Sequence, residues 1–238
     1  MNWNLIVEKV APYIVKIETP SGHGTGFLYL YNQNRNFCCI ATALHVIDEA
    51  NDWQQPIRIH HLSSKTQTFL KEDSRLIYTS PRTDSAVILF PHSDLKLPEE
   101  LIPLLPSDRP LRVGDEVGWL GYPYMEPYTL CFFSGNVSAR KDNDRSYLID
   151  GVAINGVSGG PVIFPHATDG VQIVGIVSAY QANKATGGSL PGLLVSQDVS
   201  HFHDVSSYVK SLDEAASQKK EMEEQQIDTA DSLESKEV

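Results

Sequence analysis

Cysteine is scarce in this chain: Cys38, Cys39 and Cys131 are the only three in 238 residues. Two are adjacent on an apolar run, so the set reads as small core residues rather than a disulfide framework, and it points to a reducing compartment. Long apolar runs are missing too. The first ten residues lack the basic start and apolar stretch of a secretory leader, and no later run approaches the roughly 18–20 apolar residues of a membrane span. The expected localisation is cytoplasmic, with no membrane partner. Positive charge is also short. Nineteen basic residues against thirty acidic ones give a net charge of −11, which argues against nucleic acid and anionic lipid, since both demand basic patches. Metal-ligand spacing is absent as well: His60-His61 and His201-Phe202-His203 come without the cysteine or carboxylate spacing of zinc sites, so neither metal nor cofactor is expected.

What the chain does contain is centred on Asn155-Gly156-Val157-Ser158-Gly159-Gly160-Pro161. A serine amid three glycines is what a tight turn needs if its amides must face a ligand. The chemistry that uses such a turn is acyl transfer. A serine hydroxyl is a weak nucleophile and requires a base, an acid to orient that base, and N–H donors for the developing oxyanion. Two upstream segments supply the first two: Cys39-Ile40-Ala41-Thr42-Ala43-Leu44-His45-Val46, an apolar run ending in a histidine, and Thr83-Asp84-Ser85-Ala86-Val87-Ile88-Leu89.

The order His45, Asp84, Ser158, with T-A-x-H-V, D-x-A-V and G-x-S-G-G-P around the three, resembles the trypsin/chymotrypsin-like serine proteases, and among them the HtrA-like branch. Other serine hydrolases carry the same three residues in different chain orders. The gaps of 39 and 74 residues suit a short-looped two-barrel protease, with His45 and Asp84 on one barrel and Ser158 on the other. The resemblance implies that His45 is base and then acid, that Asp84 orients it, and that the amides of Gly156 and Ser158 form the oxyanion hole, each worth about 3–4 kcal/mol. It further implies a substrate strand at Ser178-Ala179-Tyr180, which binds peptide by β-augmentation, a pocket wall at Gly192, and a substrate-binding Asn155 at the head of the nucleophile loop.

Along the chain, apolar residues at 3, 6, 7 and 10 predict a short N-terminal helix. Short alternating segments then predict an all-β barrel or sandwich; the resemblance to the trypsin-like proteases implies two antiparallel six-stranded barrels, the first over about 12–97 and the second over about 111–200. They are joined by the proline-rich segment 91–110. His23, in Gly22-His23-Gly24, reads either as a substrate-cleft residue or, the favoured reading, as an exposed polar turn residue. A C-terminal helix over 205–222 is expected to pack on the second barrel. The protease domain would thus span 1–210, leaving an acidic tail, 211–238, with nine acids and three bases. From about residue 223 this composition predicts disorder. No second folded domain fits there, so the PDZ module common among HtrA-like proteins is not expected.

Specificity rests on Val152, six residues before Ser158, where a trypsin carries an aspartate. A valine cannot pair a basic side chain, so the residue before the scissile bond should be apolar and small or medium in size, with Tyr180 narrowing the pocket further. Val157 replaces the aspartate that receives a new N-terminus in secreted trypsins, so no zymogen step of that kind is expected. The partners implied are protein or peptide substrates, with partner or oligomer contacts through the tail. Two other functions fit the residues: a catalytically idle or partner-gated protease fold that binds peptides, and an esterase for non-peptide acyl groups.

Overall fold

The computed structural model describes residues 2–92, 95–152, 154–183 and 190–234. Helix α1 (Trp3–Val10) is capped by the Asn2 side chain, which accepts from the Asn4 amide at 3.0 Å, and the helix gives way to a 3-10 turn, Ala11–Tyr13, that contains Pro12. Seven strands follow: β1 (Ile14–Thr19), β2 (Gly22–Tyr31), β3 (Phe37–Ala43), β4 (Ile57–His61), β5 (Thr66–Leu70), β6 (Leu76–Ser80) and β7 (Ser85–Pro91), with a short helix α2 (Asp48–Asp52) after β3. They pair antiparallel in the order β5-β4-β1-β2-β3-β7-β6.

This first unit departs in detail from the six-stranded barrel that was expected, being a seven-stranded half-barrel whose end strands do not pair with each other. The sequence of β5 explains why. Thr66, Gln67 and Thr68 are polar, Phe69 is exposed, and only Leu70 is buried, so β5 offers no apolar face to close against β6. The middle strands differ. In β3 residues 38–43 are all buried, which places Cys38 and Cys39 in the core as free thiols.

The second unit closes as expected. Strands β8 (Glu116–Gly121), β9 (Cys131–Lys141), β10 (Ser146–Asp150), β11 (Pro161–His166), β12 (Gly170–Asn183) and β13 (Leu190–Asp198) form a barrel in the order β10-β13-β12-β11-β8-β9. The fold is therefore mostly β, with one closed six-stranded barrel beside a half-barrel. Between β7 and β8 the proline-rich connection lies on the barrel, where Leu105 N donates to Ile173 O at 2.7 Å and Ile173 N to Pro103 O at 2.9 Å.

Helix α3 (Ser200–Glu234) differs from expectation twice. It is helical beyond residue 223, because it contains neither glycine nor proline and is rich in Ala, Glu, Gln, Lys and Met, all strong helix formers. It also docks on the first unit. Phe202 meets Phe27 edge-on at 6.1 Å and Tyr29 at 5.4 Å, Tyr208 meets Tyr78, and Asp213 accepts from the Gln33 amide at 2.7 Å. The buried stripe Phe202, Val205 and Val209 finds its cover on the half-barrel. Among the described residues no helix is long and apolar enough to cross a membrane.

Candidate active site

His45 lies in a 3-10 turn, Leu44–Val46, that continues from β3, and Asp84 lies just before β7. The pairing of β3 with β7 ends at Ala43 opposite Ser85, so the two residues beyond it must meet. Two hydrogen bonds join them, and a third ties the neighbouring Leu44 to Asp84. Leu44 N donates to Asp84 O at 2.9 Å, His45 N to Asp84 Oδ1 at 3.0 Å, and His45 Nδ1 to Asp84 Oδ2 at 2.8 Å. Asp84 itself is left-handed, at φ 43° and ψ 42°, a conformation its short polar side chain tolerates. Burial pushes its carboxyl up, but hydrogen bonds from His45 and Ser178 outweigh this and hold it below the usual carboxylate range. His45 moves the other way. Its bond to Asp84 raises it, against desolvation and with smaller help from the charges of Asp84 and Asp48. An imidazole whose Nδ1 donates to a carboxylate presents Nε2 as the acceptor.

The nucleophile loop is shaped by two left-handed glycines, Gly156 at φ +92° and Gly159 at φ +83°. Space forbids a side chain at either. A Cβ on Gly156 would lie 2.5 Å from Tyr122 O, and one on Gly159 would lie 2.2 Å from Thr25 O. The loop is bolted to the half-barrel through Thr25 of β2. Thr25 N donates to Ser158 O at 2.8 Å, and Thr25 Oγ1 donates to Gly156 O at 2.8 Å while accepting from Tyr122 N at 2.9 Å. On the other side Asn155 O accepts from Tyr124 N at 2.8 Å. In a trans peptide the C=O and N–H point opposite ways, so this bond turns the Gly156 N–H away from Tyr124. Among the described residues neither Gly156 N nor Ser158 N has a hydrogen-bond partner.

His45, Ser158, Gly156 and Asn155 line one cleft of about 400 Å³, together with His23 and Tyr124. The structure therefore brings together His45, Asp84, Ser158, Gly156 and Asn155. It does not put Val152 in that cleft; Val152 is exposed, in the segment after β10. Ser178 is buried and spends its hydroxyl on Asp84 at 2.5 Å. Ala179 and Tyr180 sit on β12 opposite Val195 and Leu194, and Gly192 falls in β13; the Tyr180 side chain lies outside the described residues. His23 is not an exposed turn residue. It belongs to β2, half-buried, with Nε2 3.2 Å from Tyr122 O and its ring 4.2 Å from that of Tyr124. A larger cavity of about 640 Å³ lined by Arg109, Phe164 and His166 includes none of these residues.

Three other histidines serve the fold. His60 bonds Glu18, His61 bonds Pro12 O, and His203 bonds Leu105 O. Among the described residues no group of three or more His, Cys, Asp or Glu is placed to hold a metal ion.

Sequence reasoning missed Thr25, Tyr124 and the second role of Ser178. For Thr25 a signal existed: Gly24 and Gly26 flank it, and glycine inside a strand marks close backbone approach. A Cβ on Gly24 would lie 3.1 Å from Ser158 O and one on Gly26 would lie 2.9 Å from Ala41 O. No local pattern announces Tyr124, whose bonds span the chain.

Comparison with known proteins places this geometry. No curated protein sequence matches the chain. Solved structures similar to it include Rv3671c from M. tuberculosis in an inactive form, 18% identical, covering 87% of this chain and 91% of that one with a TM-score of 0.59. The serine endoprotease from Yersinia pestis is 20% identical, with 89% and 67% covered and a TM-score of 0.64. Deg5 is 20% identical, with 84% and 90% covered and a TM-score of 0.62. At these identities the likeness is one of fold. The family model of the trypsin-like peptidase domain matches residues 24–176, a stretch that holds His45, Asp84 and Ser158 and reaches into both units. This chain belongs to the trypsin-like peptidase family.

Proposed function

We propose that the chain is a serine endopeptidase that works through Ser158, His45 and Asp84, with residues 1–210 as its protease body. The observation that carries this reading is the pair of hydrogen bonds from His45 to Asp84, with Ser158 in the same cleft and two unengaged amides beside it. His45 Nε2 takes the Ser158 proton as Oγ attacks the peptide carbonyl. The oxyanion is held by the N–H groups of Gly156 and Ser158. His45, now charged and stabilised by Asp84, gives its proton to the leaving amine; water then attacks the acyl-enzyme by the same route in reverse.

The acyl side of the substrate would lie along β12. Pairing of β12 with β11 ends at Ile176, so beyond Val177 one edge of β12 has no strand partner among the described residues. This supports β-augmentation at Ser178, Ala179 and Tyr180 and makes an esterase the weaker reading. The apolar preference before the scissile bond rests on the resemblance alone, since Val152 is exposed outside the cleft. The free state of Cys38, Cys39 and Cys131 supports a reducing, cytoplasmic location. Residues 211–238 are the candidate contact for a partner or a second copy.

One observation favours a second reading, an enzyme completed by its substrate or a partner: among the described residues the Ser158 hydroxyl has no hydrogen-bond partner, His45 included. Labelling with a fluorophosphonate, beside Ser158→Ala, tests both. Rapid labelling of the isolated wild type that vanishes in the variant supports the assembled enzyme. No labelling of the isolated protein overturns it in favour of the gated or peptide-binding fold.

A further inference from the structure

The cleft beside His45 and Ser158 extends away from the acyl strand. None of the described residues of β12 or β13 lines it, so a substrate docked along β12 leaves it free. The cavity opens directly off the nucleophile and the base. What must pass through it is the peptide on the amine side of the scissile bond.

Its walls are polar and of one sign. Asp48 and Glu49, which follow His45 in α2, line it together with Ser21, His23, Tyr124 and Asn155. Both carboxylates are exposed, and among the described residues neither has an ion-pair partner; Asp48 Oδ1 only accepts from the Glu49 amide at 2.7 Å. No lysine or arginine lines the cavity, and burial and the charge of Lys16 lower the pKa of His23. Tyr124 is fixed, because its hydroxyl accepts from His23 N at 3.0 Å. About half of it is exposed, and an exposed tyrosine face attracts a cation.

We propose that this cavity is a leaving-group subsite selective for lysine or arginine at the first or second position after the scissile bond, held by Asp48 and Glu49 with its alkyl stem along Tyr124. The inference rests on the serine-peptidase reading above, and it adds a basic preference downstream of the bond to an apolar one upstream.

The test uses full-length Ser158→Ala protein and two octapeptides that differ only in carrying lysine or glutamine at those two positions. Tighter binding of the lysine peptide by about three- to tenfold at low salt is expected, because exposed charge pairs are weak and screened. In Asp48→Asn/Glu49→Gln the advantage should fall below about twofold, within the range of one weak surface pair. Equal affinities, or an advantage that survives the double substitution, overturn the proposal. Fluorophosphonate labelling of the wild type reports on Ser158 separately. A labelled enzyme without charge preference sinks the subsite alone, whereas a preference in unlabelled protein sinks the peptidase reading and supports the subsite as a peptide-binding cavity.

Discussion

Thr25 Oγ1 donates to Gly156 O at 2.8 Å across the junction between the two units, from a side chain with no exposed surface. The same oxygen accepts from Tyr122 N, so one hydroxyl holds the nucleophile loop and the strand end beside it. Thr25→Val keeps the shape and removes both bonds. Each buried group left unpaired costs about 1–3 kcal/mol. We expect a lower midpoint in urea and slower labelling of Ser158, with Thr25→Ser recovering much of both. A valine variant with unchanged midpoint and labelling rate would contradict this account.

Gly156→Ala probes the loop differently. At φ +92° a side chain is strained, and the new Cβ would meet Tyr122 O at 2.5 Å and Tyr124 N at 2.8 Å. The Asn155–Gly156 peptide must rotate, and the Gly156 N–H leaves its direction. Loss of one oxyanion donor costs about 10²–10³ in rate. Acylation by the fluorophosphonate should fall by that order, while peptide affinity in the Ser158→Ala background stays within about twofold, since binding along β12 does not use this donor. Equal losses in both measurements would argue for general collapse of the loop instead.

The His45–Asp84 pair sets the pH dependence. The proposed mechanism needs neutral His45, whose pKa the Asp84 hydrogen bond raises above 6.5. Acylation should therefore rise with pH through a midpoint above that value, and Asp84→Asn should move the midpoint down as well as slow the reaction. Stability follows with opposite signs. The raised His45 stabilises the fold below pH 6.5, and this is lost as pH rises through its folded pKa. The lowered Asp84 stabilises it above pH 3.8, and this is lost as pH falls through its folded pKa. Ser178→Ala should lessen the second effect, which acid titration of the unfolding midpoint would detect.

Thiol chemistry offers an independent check of the core. Burial raises both Cys38 and Cys39, the latter to about 12, whereas Cys131 is partly exposed and only raised. One thiol per native chain should react with an aromatic disulfide reagent, slowly, and three after denaturation. Fast reaction of all three in the native protein would mean that β3 is not a central strand.

The proposed chemistry was readable locally because it depends on residue types at short spacing. A serine needs glycines on both sides to expose its amides, so residues 155–161 declared themselves, and the apolar runs beside His45 and Asp84 followed the alternation and length rules of buried strands. The same rules placed α1 and most strand positions. They failed where burial depends on what lies opposite. Whether residues 66–70 close a barrel is decided by the polar face of β5, and where α3 docks is decided by the uncovered surface over Phe27 and Tyr29.

The sequence by itself determined the candidate reacting groups, their order, the all-β class and the acidic, cysteine-poor character of the chain. Only the tertiary structure decided their relations. Thr25 meets Gly156 across 131 positions, Ser178 meets Asp84 across 94, and Asp48 and Glu49 come to face the same cleft as Tyr124. A hydrogen bond requires atoms within about 3 Å and aligned. That condition belongs to the packed chain, and no local pattern of residues encodes it.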